Sequence, residues 1–93
     1  MIVLAVEARL LAPFCRSLKD KRALVKPLLS RLRQTFNASA VESASQDHHS
    51  HITLTIAALA FDSAQADSIQ ENLYRFSESN TEAELIGWDV EYR

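Results

Sequence analysis

The segment from Ser17 to Phe36 most constrains the fold, because it combines an apolar helical side with the densest basic charge in the chain. Ser17 suits the N-cap position, and Asp20 three residues later approximates a capping box. At about 100° per residue, one side of a helix gathers apolar side chains. These are Leu18, Val25, Leu29, Leu32 and Phe36. The segment therefore predicts an amphipathic helix that buries one side.

The neighbouring side of this helix is cationic. Four residues share it at spacings of three, four and seven, and we call them the basic stripe: Lys19, Arg22, Lys26 and Arg33. Pro27 lies within the segment and removes a backbone N–H, so we expect a kink or a division into two shorter helices there.

Charge is distributed unevenly along the chain. Seven basic residues and one acidic residue lie between Arg16 and Arg33, whereas eight acidic residues and one basic residue lie between Asp62 and Glu91. Such asymmetry predicts a surface with a cationic side for an anionic partner. The alternative is an ordinary solvated helix.

Five further segments complete the order of elements. Apolar residues alternate along residues 2–11 and 51–61, which predicts two well-specified strands, and residues 83–92 predict a third. Residues 38–45 carry short side chains and predict a weak edge strand. A second amphipathic helix is expected from Asp62 or Ser63 to near Asn80. The predicted order is β-α-β-β-α-β.

Both helices need an apolar sheet face, and each strand–helix–strand unit must be right-handed. The prediction is an α+β fold in which a four-stranded antiparallel sheet carries both helices on one face. The 93 residues, 47 % of them hydrophobic, suit a single domain over residues 1–93.

The other sheet face is predicted to be open. Its central strands carry small apolar and β-branched residues: Val3, Ala5, Thr53, Thr55 and Ala57. Monomeric proteins seldom leave such an apolar patch exposed to solvent, so we expect face-to-face homo-oligomerisation. Pairing through edge strands and covering of the face within one chain are the alternatives.

Cysteine usage and the N-terminal residues predict a cytoplasmic protein. Cys15 is the only cysteine, so no internal disulfide forms. The apolar run at the N-terminus follows no basic region and soon meets Glu7 and Arg9, unlike a signal peptide or a membrane span. No membrane partner is expected.

Several motifs together resemble a known family. They are MIV at the start, SLKDKR at 17–22, LLSRLRQTFN at 28–37, Glu42, the pair Gln46–Asp47, ITLTIA at 52–57 followed by Asp62, and AELIGWDVEY at 83–92. This set is similar to the YlxP-like family, a bacterial domain of unknown function. The resemblance implies a ferredoxin-like α/β sandwich, genes that often lie beside those of translation and ribosome-maturation factors, and no established catalytic activity.

Three groups of residues carry chemistry, but each has a simpler interpretation. His49 and His51 with Asp47 offer metal-ligand chemistry, yet a polar hairpin turn is favoured over a metal site. Glu42 and Asp47 are a candidate acid–base pair that lacks a nucleophile. The position of Cys15 before a helix could lower its pKa, although an incidental thiol is favoured. No catalytic residue, metal or cofactor is predicted.

The basic stripe predicts a non-enzymatic binding module that contacts RNA through the phosphate backbone, without sequence-specific DNA binding, and the resemblance implies ribosomal particles as its partner. The basic stripe is the predicted nucleic-acid-binding surface. Stacking of bases on the sheet is excluded, because the central strands lack aromatic residues at the open positions. The alternatives are an enzyme or metal-dependent module using Glu42, Asp47 and the histidine turn, and a structural homo-oligomer.

Overall fold

The computed structural model describes residues 1–93 and contains four strands and two helices. In chain order they are β1 (Ile2–Leu11), α1 (Leu18–Phe36), β2 (Ser39–Ala44), β3 (His51–Ala60), α2 (Ser63–Ser79) and β4 (Glu84–Tyr92). The strands form one sheet in the order β2-β3-β1-β4, and all neighbours are antiparallel. The predicted α+β fold with β-α-β-β-α-β order, the ferredoxin-like arrangement, is confirmed.

The two central strands are paired along their whole length. Cα partners run from Ile2 with Ala60 to Leu11 with His51, so alternate residues of β1 and β3 share each face of the sheet. One face is buried beneath both helices, and the other has no element over it. The core comes from the covered face, where the inward residues of β1 and β3 are almost completely buried: Leu4, Val6, Leu10, Ile52, Leu54 and Ile56.

Side-chain caps define where each helix begins. Ser17 Oγ accepts the backbone N–H of Asp20 at 3.1 Å, and the Asp20 carboxylate accepts the N–H of Arg16 at 3.0 Å. This approximates the predicted capping box, except that the carboxylate reaches one residue beyond the N-cap. Asp62 caps α2 by accepting the N–H of Gln65 at 2.9 Å.

The expected division into two helices at Pro27 is wrong, because α1 is a single helix from Leu18 to Phe36. Pro27 and Ala23 both lie on the exposed side of the helix. The Ala23 carbonyl, which loses its N–H partner to the proline, therefore lies on the side open to water, where such carbonyls are tolerated. The helical phase of the basic stripe is preserved along α1.

Both helices contribute apolar side chains to one core. Leu28 and Leu32 of α1 and Leu73 of α2 are almost fully buried against the sheet. Phe36 and Phe76 join the two helices in an edge-to-face contact with ring centroids 5.3 Å apart. Neither helix has the length and apolarity that crossing a membrane requires.

We expect Leu54→Ala to lower the free energy of unfolding by about 2–5 kcal/mol, because Leu54 is 0 % exposed in a central strand and its truncation leaves a cavity. Leu18→Ala makes the same chemical change at a position that is 39 % exposed, and we expect a loss of about 1 kcal/mol. Urea unfolding at one fixed protein concentration measures both. Equal losses would contradict the placement of the core.

Candidate functional site

The basic stripe lies on the flank of α1 that faces the β2 edge of the sheet. Lys19, Arg22 and Lys26 are exposed, and none of them forms an ion pair with a carboxylate. Arg22 makes one long hydrogen bond, from Nε to the Leu18 carbonyl of its own helix at 3.4 Å. These three side chains therefore present their charges to solvent along about two turns of helix.

The fourth residue of the stripe, Arg33, has a structural contact. Its Nε and Nη2 atoms donate to the Ala40 carbonyl at 3.1 and 2.6 Å, which ties the last turn of α1 to β2. Arg33 is exposed, but much of its donor capacity is used within the chain. The structure thus divides the predicted set into three free cations and one engaged cation.

A further basic residue of α1, Lys21, is buried and was not singled out by the sequence analysis. Its side chain is 2 % exposed and lies beneath the first turn of the helix. Nζ donates to the carbonyls of Ser45 and His51 at 2.8 and 3.1 Å. Nζ also lies 2.6 Å from Glu42 Oε2. Lys21 therefore joins α1 to both strands of the β2–β3 hairpin.

The Lys21–Glu42 contact is an ion pair shielded from water. The Glu42 side chain is 19 % exposed, and Oε2 accepts no aligned hydrogen bond from any group, although the ammonium is in contact with it. Removal of either partner would leave the other charge in a poorly solvated position. The pair therefore fixes where the first turns of α1, with Lys19 and Arg22, sit relative to the hairpin.

The backbone of the hairpin is shaped to accept this lysine. The β2–β3 register shifts between Glu42 and Ala44, and Ser45 adopts a left-handed conformation with φ of 62°. Non-glycine residues adopt this conformation rarely, so the surrounding contacts must hold it. Ser45 Oγ lies 3.2 Å from Thr53 Oγ1, and the Ser45 carbonyl accepts from Lys21.

The three histidines lie in and beside the turn between β2 and β3, and the turn decides which of them are in contact. His48 and His51 contact each other with ring centroids 5.6 Å apart, whereas extended geometry would have placed His49 and His51 on one face. The favoured interpretation, a polar hairpin turn, agrees with the turn that residues 46–50 form between β2 and β3. His49 Nδ1 lies 2.7 Å from the Cys15 carbonyl, which can only accept, so this nitrogen carries the proton.

The geometry does not assemble the chemistry of an enzyme from these residues. No group of three or more His, Cys, Asp or Glu side chains is positioned to hold a metal ion, Asp47 and the histidines included. The Glu42 carboxylate contacts Lys21, and no hydrogen bond or ion pair joins it to Asp47. Burial raises the pKa of the Cys15 thiol, and the Asp20 charge raises it further, so the alternative of an activated thiol with a lowered pKa is wrong.

We expect Lys21→Met to lower the free energy of unfolding by roughly 2–4 kcal/mol, because Glu42 and two carbonyls lose their partner. Lys19→Met removes an exposed lysine two residues away, with an expected change below about 0.5 kcal/mol. The double variant Lys21→Met, Glu42→Leu should recover part of the loss, because no unpaired charge remains. Urea unfolding measures all three. A Lys21→Met variant as stable as the Lys19→Met variant would show that the buried pair stabilises nothing.

Comparison with known proteins identifies a family to which the chain is similar. A family model described as "Protein of unknown function (DUF503)" matches residues 3–90. The matched range begins in β1 and ends in β4, so it includes α1, the hairpin and the buried lysine. No curated protein matches the chain.

Proposed function

Because the chain belongs to the DUF503 family of proteins of unknown function, its role must be inferred from its own surface, and we propose that it is a cytoplasmic, non-enzymatic module that binds RNA through the basic stripe. The resemblance to the YlxP-like family, with genes beside those of translation factors, favours RNA of ribosomal particles. The group that the stripe would bind is the phosphate backbone of single-stranded or loop RNA.

One observation carries this proposal: three exposed cations without a carboxylate partner lie side by side on one flank of α1, whereas the other unpaired arginines, Arg16 and Arg75, lie apart from one another. Elsewhere Arg9 contacts Glu7 and Asp89, and Arg93 contacts Glu91. The stripe has no such partners, and a surface of unpaired cations is what counterion release from a polyanion requires.

The acidic residues lie on the far side and favour one direction of approach. α1 packs over β2, whereas α2 packs over β4 and the central strands. α2 and β4 carry most of the exposed acidic residues: Asp67, Glu71, Glu78, Glu84, Asp89 and Glu91. A polyanion approaching this flank would be repelled, so attraction and repulsion together orient the protein with α1 toward RNA.

The mode of contact is expected to be independent of base sequence. Lysine and arginine on one helical stripe reach phosphates, which position a protein on nucleic acid without reading bases. The open positions of the central strands, such as Ala5, Thr55 and Ala57, offer no aromatic ring on which a base could stack. Preference among RNA sequences should therefore be weak.

The salt dependence of binding tests the number of phosphate contacts. We expect fluorescence anisotropy with a labelled oligouridine to give a log–log slope of about −2 for three contacts, at about −0.7 per contact on single strands. A slope of about −3 would indicate that Arg33 leaves the Ala40 carbonyl and joins the other three. A slope near zero contradicts the proposal.

Matched charge reversals locate the contact on the surface. Arg22→Glu removes a stripe cation, and Arg75→Glu makes the same charge change at an exposed position of α2. We expect Arg22→Glu to weaken oligouridine binding about five- to tenfold at low salt and Arg75→Glu to weaken it less than about twofold. Equal effects would mean that only net charge matters, and no effect of either would remove α1 from the interface.

Co-sedimentation distinguishes binding to ribosomal particles from binding to RNA in general. The protein should pellet with purified ribosomal subunits at low salt, and excess oligouridine should release it if bare phosphates are the whole attraction. Retention in the presence of the competitor would assign part of the binding to the particle itself. Absence from the pellet at low salt would contradict association with ribosomal particles while leaving the oligouridine result to stand separately.

A further inference from the structure

The sheet face opposite the helices carries an uncovered apolar region. Val3 is paired with Leu59, and Ala5 with Ala57, across the two central strands. Leu59 is 63 % exposed and Val41 of the neighbouring strand is 52 % exposed. Apart from Leu59, the side chains of this region are short, so a second surface could approach this face closely.

The charged residues of the same face already have partners within the chain. The Arg9 guanidinium donates to Asp89 at 2.6 Å and to Glu7 at 3.0 Å. It lies across Gly87 of β4, where any side chain would collide with it. The single glycine of the chain thus leaves room for the guanidinium, which contacts both carboxylates, and the cluster of two carboxylates and one guanidinium carries a net charge of −1.

The hydroxyl groups of this face are also paired with one another. Thr55 Oγ1 donates to Ser43 Oγ at 2.7 Å, and Ser45 Oγ and Thr53 Oγ1 are 3.2 Å apart. Thr53 is buried even in the single chain. An uncovered face in which the polar groups are satisfied internally loses little when water is excluded from it.

We propose that this open face is a homodimer interface, in which two copies of the chain pack sheet against sheet about a two-fold axis. The two central strands have ten residues each and β4 has nine. At about 4.8 Å between strands and 3.3 Å per residue, each face offers roughly 500 Å² of flat area, and side-chain relief increases it. Two faces together reach the roughly 1,000 Å² that a specific interface needs.

A second copy fits this face better than a partner of one charge. The cluster of Arg9 with Glu7 and Asp89 contains both signs, so it is complementary to its own copy when turned by a two-fold axis. A second ion pair of mixed sign lies on the same face, where Arg93 Nη2 is 2.8 Å from Glu91 Oε2. In a face-to-face dimer all helices lie outside, so the basic stripes of both copies stay free.

A lysine at the centre of the apolar region tests the interface. Ala57→Lys adds a charge on the open side of β3 without touching the helix side of the sheet, and Ser68→Lys adds the same charge on the exposed side of α2 as the matched control. We expect the parent protein and the Ser68→Lys variant to sediment at twice the 10.4 kDa chain mass at tens of micromolar concentration. Ala57→Lys should raise the dissociation constant at least about 100-fold.

A second variant keeps the test decisive if the lysine disturbs folding. Leu59→Ser removes exposed apolar area without adding a charge, and should raise the dissociation constant roughly tenfold while circular dichroism stays native. A parent protein that is monomeric would overturn the proposal. Dimers that neither face variant weakens would also overturn it, because the contact would then lie at a sheet edge or on the helices. Oligouridine binding by a folded monomeric variant would show that the two surfaces act separately.

Discussion

The contact of the Lys21 ammonium with one carboxylate and two carbonyls is the interaction on which the placement of α1 against the β2–β3 hairpin depends. It lies where α1, β2 and the start of β3 meet, and all three would be held there more loosely without it. Burial of an ammonium group is costly unless several acceptors converge on it, so the hairpin backbone is constrained together with the helix. The first turns of α1, with the exposed cations Lys19 and Arg22, are consequently tied to the β2–β3 hairpin.

Most of the fold follows from periodicity, but this central contact required a combination of two patterns. Alternation along β1 and β3 and the helical period of α1 and α2 predict the sheet and its covered face. At 100° per residue, Lys21 lies between Leu28 and Leu32 on the apolar side of α1, and alternation places Glu42 on the inner side of β2 with Ala40. Opposite charges on two facing apolar sides are a readable signal for a buried pair. Neither pattern alone reveals it.

Other features could not be read from the sequence, because they depend on how loops close in three dimensions. The pairing of His48 with His51, and of His49 with the Cys15 carbonyl, follows from the path of the hairpin turn. Arg33 was predicted to lie on the stripe, but its use by Ala40 depends on how closely β2 approaches the helix end. The continuity of α1 through Pro27 depends on which side of the helix meets water.

The two layers of the structure suggest a division of roles. The helix layer carries separated charges, with free cations on α1 and acidic residues on α2, whereas the open sheet face carries paired charges and small apolar groups. Free charge suits contact with a polyanion, and internally satisfied groups suit burial against a copy of the same surface. Because the layers face opposite directions, one contact does not obstruct the other.

The most direct test of RNA contact through α1 is an amide chemical-shift titration of the whole protein with oligouridine. We expect the largest shifts at residues 18–26 and at the adjoining β2–β3 turn, with salt reversing them, while amides of the open face in β1 and β3 stay unchanged. Shifts concentrated on the open sheet face, or no shifts at low salt, would contradict the account.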